Sequence, residues 1–239
     1  IISDVIGNRL DVIASGPTYP DSSTFRDAYQ VLGRYNLLSC APESIVNYIN
    51  RGLRGEEVET PKTLTNCRNY IIGDSALALQ SAAIKAGELG LRPIILTSEQ
   101  KGEVEQVARL RADEIKSGKY AGYDAILIGG ETTVRLPESH GRGGRNQHYA
   151  AVSLEAMASY PEEWVLLSLG TDGTDFLPDV AGAIVDSSSL GVAKKKGIDP
   201  SSYLQRCDSY TLLEKMGNSL VRTGDTGTNV GDVIVYLLK

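Results

Sequence analysis

Histidine and cysteine are scarce in this sequence, with two of the former and three of the latter in 239 residues. The cysteines, Cys40, Cys67 and Cys207, are scattered, and no two make a CxxC pair. Such spacing carries neither a zinc framework nor a disulfide scaffold. Reduced thiols in a cytoplasmic compartment are the expectation. No apolar run approaches the roughly 18 residues that a membrane-spanning helix needs. The chain opens on Ile1-Ile2, without a methionine and without the pattern of a secretion signal. These residues read like the end of a strand that begins upstream, so a piece of a longer protein is expected. Positive charge is also in deficit, at a formal net charge of −6. Such a surface does not favour nucleic acid or an anionic membrane as partner. A small anion stays open, because a local arginine cluster can act against the global sign. Neither a GxGxxG dinucleotide fingerprint nor a Walker phosphate loop is present.

What remains is an ordinary soluble balance, 41% hydrophobic and 23% charged, in a chain long enough for one large domain or two small ones. Apolar spacing predicts helices over 24–37 and about 42–50, followed by a charged, Gly/Pro-punctuated linker over 51–65. A regular α/β unit comes next. Tyr70-Ile71-Ile72 reads as a strand, and Asp74 or Ser75 can cap the helix that follows. Leu79, Ala82, Ala83, Ala86 and Leu89 give that helix its buried face, and Gly90 ends it. Strands over 93–97 and 125–128 flank a helix over 102–116. Short apolar strands alternating with helices argue for a parallel sheet covered on both faces, with ligands beyond the carboxyl ends of its strands. Further strands are predicted over 132–136, 164–169 and 233–237. Short helices are predicted over 190–196, 200–206 and 210–216, the last capped by Asp208-Ser209.

Three polar loops interrupt this pattern. The run 141–147, GRGGRNQ, carries three glycines and two arginines and leads straight into a helical pattern. Glycine allows close backbone approach, arginine offers a cationic fork, and a helix N-terminus favours anions. The run therefore reads as a site for an anionic substrate or phosphate. The second loop, GTDGTD at 170–175, ends a buried strand. Its Asp172 and Asp175, with Asp179 beyond, could hold Mg²⁺ together with phosphate oxygens, or could cap the next helix. Calcium is excluded, because no glutamate stands at the twelfth position of an EF-hand. The third loop is Gly/Thr-rich, over 223–229. Ser15-Gly16-Pro17-Thr18 is turn chemistry, and the same residues could present Ser15 and Thr18 to a ligand.

Together these runs resemble the MOFRL family, whose well-defined members are class II glycerate kinases. The resemblance is carried by GGETTV at 129–134, GRGGRNQ at 141–147, GTDGTD at 170–175, AGAIVD at 181–186, DSY at 208–210 and TGDTGTNVGDV at 223–233. SDVIGNRLDVIASGPT at 3–18 and NYIIGDSALAL at 69–79 extend it along nearly the whole chain. It implies Rossmann-like α/β layers with a parallel or mixed sheet and helices on both faces. It also implies a division at 66/67, between the tail of an N-terminal kinase domain with its connection and a C-terminal MOFRL-type domain. Family members are about twice this length. Their Gly-rich nucleotide loop and a lysine important for catalysis lie in the part not matched here, so this chain would supply one wall of an interdomain site.

The resemblance implies ATP-dependent phosphorylation of D-glycerate to 2-phosphoglycerate, with Mg²⁺, in the cytoplasm. The missing domain and a second copy in a homodimer are the protein partners expected. Arg142 or Arg145 would neutralise the substrate carboxylate or the moving phosphoryl group, with Arg145 favoured as nearer the helix start. Asn146 and Gln147 would orient hydroxyls. Asp172 or Asp175 would bind Mg²⁺ or accept the proton of the 2-hydroxyl, and Asp175 and Asp179 are the expected metal ligands. Ser15, Thr18, Glu131, Thr132, Thr171, Thr174 and Asn229 complete the substrate set. The sequence departs from the family at His148, where glutamate is usual, at Phe176, where glycine is usual, and at Pro178 and Asp225. An NAD(P)-dependent hydroxypyruvate reductase and a non-catalytic binding remnant are the alternatives.

Overall fold

Thr24 opens the first helix with a reciprocal cap. Its hydroxyl accepts the Asp27 N–H, while the Asp27 carboxylate accepts the Thr24 N–H. Helix α1 (Phe25–Arg34) then packs on α2 (Glu43–Leu53), with Phe25 and Tyr48 edge to face at 5.4 Å. The computed structural model describes residues 1–239. Its helices α1 and α2 lie in a small unit, Arg9–Tyr70, and the remainder, Ile1–Asn8 with Ile71–Lys239, forms a larger one.

In the larger unit α3 (Ser75–Glu88) starts at Asp74, whose carboxylate accepts the Leu77 N–H at 2.8 Å. Gly90, at φ 82°, follows its C-terminus in the left-handed region, as the sequence predicts. Strand β1 (Pro93–Gln100), α4 (Val104–Lys116) and β2 (Ala125–Gly130) form a strand–helix–strand unit, and β1–β2 is a parallel pair. After it come α5 (Arg145–Ala156), β3 (Trp164–Gly170), β4 (Gly182–Asp186), α6 (Ser189–Lys195), α7 (Pro200–Leu204), α8 (Ser209–Met216), β5 (Leu220–Val221) and β6 (Asp232–Leu238). The sheet order is β1-β2-β6-β3-β4-β5. Strand β6 runs antiparallel to both neighbours, and β3–β4 and β4–β5 are antiparallel too. The sheet is thus mixed, not parallel throughout.

One face of this sheet holds the main core. Ile126 and Ile128 of β2, Trp164 and Leu166 of β3, and Ile234 and Tyr236 of β6 meet α4 and α5 there. Helix α5 is buried from Asn146 to Leu154, because α4, α7 and α8 pack around its outer side. That explains its lack of a polar face. On the other face α3 covers β1 and β2, with Leu79 fully buried against Gly129. Val165, Leu167, Leu169, Ile184, Val233, Val235 and Leu237 of β3, β4 and β6 remain partly or well exposed on that side.

Three strands expected from apolar pattern are absent. Residues 1–5 and 70–72 meet only at one parallel bridge, Ile2–Gly73, with Ser3 N–H donating to the Gly73 carbonyl at 2.8 Å. Residues 132–136 make a single bridge, Thr133–Glu103, before Pro137, which has no N–H to extend a ladder. Residues 132–136 alternate and the other two segments are short apolar runs, but none is paired beyond its single bridge.

Candidate functional site

The site begins where β2 leaves the sheet. Gly130 has φ 143°, and a Cβ there would lie 2.3 Å from the backbone of Gln100. Only glycine allows this exit, which carries Glu131 and Thr132 beyond the strand end. The glycine loop then brings the chain to the start of α5. At Gly144 an added Cβ would lie 2.2 Å from the side chain of Asp175. The bare Cα is what lets Asp175, from the loop after β3, reach the first turn of α5.

Asp175 is 4% exposed. One oxygen accepts the Asn146 N–H at 3.1 Å and its side-chain amide at 3.3 Å. The other accepts the Gln147 N–H at 2.8 Å and its side-chain amide at 3.0 Å. The helix N-terminus that the sequence assigned to a ligand anion is therefore filled by the protein's own carboxylate. Burial pushes the Asp175 pKa up, and the nearby charge of Asp232 adds to this; the four donors only partly offset them.

Arg145 is the first residue of α5. Its Nε and Nη2 donate to the two carboxylate oxygens of Asp232, at 2.6 and 3.0 Å, and its Nη1 donates to Glu131 Oε1 at 2.6 Å. Burial alone would weaken the guanidinium charge, but Asp232 and Glu131 outweigh it, and the pKa is raised. Asp232, at the start of β6 and 3% exposed, was not among the expected site residues. The readable signal was a charged residue opening an otherwise apolar buried strand, since a buried charge needs a partner.

A cleft of about 520 Å³ opens here, and Glu131, Thr132, Arg145, Asp172, Thr174 and Asp175 all line it. Asp172 holds its own loop, accepting the N–H and hydroxyl of Thr174 at 2.9 and 3.1 Å. His148, 1% exposed, is a further wall, with Nε2 3.2 Å from Glu105 Oε1 and no partner for Nδ1. Phe176 stands at the cleft with φ 66° and 81% exposure. A left-handed backbone costs a non-glycine residue roughly 1–2 kcal/mol, and an exposed ring returns little. Phe176→Gly is expected to raise stability by about 1 kcal/mol in chemical denaturation. A destabilised variant would show that the ring makes a contact worth more than the strain.

The other expected residues lie outside this cleft lining. Arg142 rides on the Tyr210 ring at 4.6 Å, while its N–H donates to Asp208 at 3.0 Å. Asp208 thus binds the glycine loop instead of capping α8 with a backbone bond. Asn146 and Gln147 are buried, holding Asp175, and Asn146 also accepts the Ser168 hydroxyl at 2.6 Å. The Thr171 hydroxyl donates to the Gly231 carbonyl at 2.7 Å, joining the ends of β3 and β6. Asn229 donates to Asp4 at 2.9 Å, and Asp179 is paired with Arg222. Ser15 and Thr18 belong to the smaller unit, where Thr18 donates to Asn69 at 2.6 Å. No group of three or more His, Cys, Asp or Glu side chains is arranged to hold a metal ion. No helix is long and apolar enough to cross a membrane.

The larger unit is a mixed α/β domain in which an arginine, clamped by a buried carboxylate, lines a cleft. Residues 124–232 match the MOFRL family, and residues 1–50 match a domain of unknown function, DUF4147. The chain is 41% identical over its whole length to D-glycerate 2-kinase of Thermotoga maritima and spans 55% of that relative. It is 32% identical over its whole length to glycerate kinase of Macaca fascicularis, covering 71% of it. It is also similar to the crystal structure of a glycerate kinase from Thermotoga maritima, with a TM-score of 0.85 at 40% identity. That likeness covers all of this chain and 56% of the other. The chain belongs to the MOFRL-containing glycerate kinase family. It spans about half the length of the Thermotoga relative.

Proposed function

We propose that this chain forms one wall of the active site of a glycerate 2-kinase, which transfers a phosphoryl group from ATP to D-glycerate. The observation that carries the reading is Arg145. It is held by the buried Asp232 at the rim of a cleft that also contains Asp172 and Thr174. Phosphoryl transfer depends on positioning and charge neutralisation more than on covalent chemistry.

Arg145 meets the carboxylate of glycerate or the moving phosphoryl group. Asp172, whose oxygens receive donors only from the neighbouring Thr174, accepts the proton of the attacking hydroxyl or holds Mg²⁺. Asp175 fits a metal poorly, since both of its oxygens already accept N–H donors, and Asp179 is paired with Arg222. A single carboxylate suits Mg²⁺, which takes its remaining ligands from water and phosphate and would neutralise charge on the transferring group. Asn146 and Gln147 act one layer back, by holding Asp175 under the first turn of α5. The nucleotide phosphates need a larger set of donors than Arg145 and the threonines of this cleft. They are assigned to the portion that relatives carry beyond this chain. A cytoplasmic setting goes with this reading.

The test uses the protein at the full length its gene encodes, with D-glycerate, Mg²⁺ and ATP, followed by ³¹P NMR. A new 2-phosphoglycerate resonance is expected, and it identifies the acceptor hydroxyl at the same time. Absence of any phosphoglycerate, with NADH consumed in a parallel tube of hydroxypyruvate, overturns the reading in favour of a reductase.

A further inference from the structure

We propose that the outer edge of the Arg145 guanidinium is a carboxylate subsite, which Glu131 occupies until the carboxylate of a small hydroxy acid displaces it. The inference rests on the reading of the cleft as a hydroxy-acid site. Arginine offers five N–H donors in a rigid fork. Asp232 takes one full side of the fork through Nε and Nη2. The end of the fork, formed by Nη1 with the second Nη2 hydrogen, is left as another two-point edge. Glu131 uses it through a single bond, from Nη1 to Oε1 at 2.6 Å.

The two carboxylates differ in how firmly they are held. The Asp232 side chain is 4% exposed, whereas that of Glu131 is 46% exposed and that of Arg145 is 35% exposed. An exposed pair is weak and in competition with water, while separation of a buried pair leaves a charge without solvent. Glu131 follows Gly130 out of the strand, and its carboxylate has no second partner in the cleft it lines. Asp232 is thus the permanent partner that aims the fork, and Glu131 is the exchangeable one. An incoming carboxylate brings two oxygens to an edge where Glu131 supplies one. Glu131 acts as an internal competitor of substrate, not as one of its ligands.

The experiment measures dissociation constants of D-glycerate, acetate and glycerol by NMR titration of wild type, Glu131→Gln and Glu131→Asp. Glu131→Asp keeps the charge but is one methylene too short for the contact. Both variants are expected to bind D-glycerate and acetate roughly two- to fivefold more tightly, the scale of one exposed ion pair. Glycerol, without a carboxylate, should show no change. Tighter binding in Glu131→Gln alone would reduce the effect to a general loss of negative charge and overturn the inference. So would unchanged or weaker binding in both variants, and if wild type still bound D-glycerate the hydroxy-acid reading would stand. Tighter acetate binding with no D-glycerate binding in any of the three would uphold the subsite and overturn the hydroxy-acid reading. Failure of all three proteins to bind either anion would overturn both.

Discussion

Asp175→Ala is expected to destabilise the larger unit by about 3–5 kcal/mol, the scale for breaking a buried charged network. In a chain of this size that corresponds to a fall in melting temperature of roughly 6–20 °C. The reason lies in the first turn of α5. Asp175 accepts two backbone N–H groups and two side-chain amides from Asn146 and Gln147. These donors are buried, so removal of their acceptor leaves them without water or protein partners. Asp175→Asn separates shape from polarity. It keeps the volume, yet its NH₂ group must face donors, so most of the loss should persist. The pH dependence has a definite sign. The folded pKa of Asp175 lies above its ordinary value, so its contribution is fully present below the unfolded pKa. It is lost as pH rises through the folded pKa. Wild type should therefore lose stability relative to Asp175→Asn on going from acid towards neutral pH. A thermal shift below about 3 °C in the alanine variant would show that α5 does not depend on this internal anion.

The second large effect falls on turnover. On the proposed kinase reading, Arg145→Lys in the full-length protein is expected to lower kcat/KM for D-glycerate by about 10²–10³. Lysine retains a positive charge opposite Asp232. It cannot hold Asp232 on one edge and present a second edge to substrate. Arg145→Ala is a poorer test by itself, because it abandons the buried Asp232 and threatens the fold. Combining it with Asp232→Asn removes that uncompensated charge. The double variant should recover stability without recovering rate. A loss of less than about threefold in Arg145→Lys would remove Arg145 from the reaction.

Local chemistry was readable where it was decided locally. The Asp74 cap, the left-handed Gly90 and the buried stripe of α3 follow from neighbours within a few residues. The loops at the ends of β2 and β3 were expected on one edge of the sheet, and residues of both line one cleft. What could not be read was pairing at long range. Alternating helices and strands suggested a parallel sheet, but nothing in β6 marks it as the antiparallel neighbour of both β2 and β3. Arg145 announced a cationic fork without announcing that Asp232 would occupy half of it. Likewise the anion expected at the α5 N-terminus proved to be Asp175, supplied by a separate loop. Each missing partner lies more than 25 residues away, beyond the reach of periodicity or capping patterns.

The position of β6 has a consequence for how the site comes into being. This strand is synthesised after every other strand of the sheet, yet it sits in the middle, between β2 and β3. Until it arrives, the β1–β2 and β3–β4 halves have no hydrogen-bonded link, and Arg145 lacks the carboxylate that aims it. Contacts so distant in sequence form late, after the cost of loop closure has been met. On the ribosome, the nascent cleft would therefore exist as two unjoined banks. The step that completes the sheet is the same step that sets the arginine, so the sheet and the clamped fork arrive together.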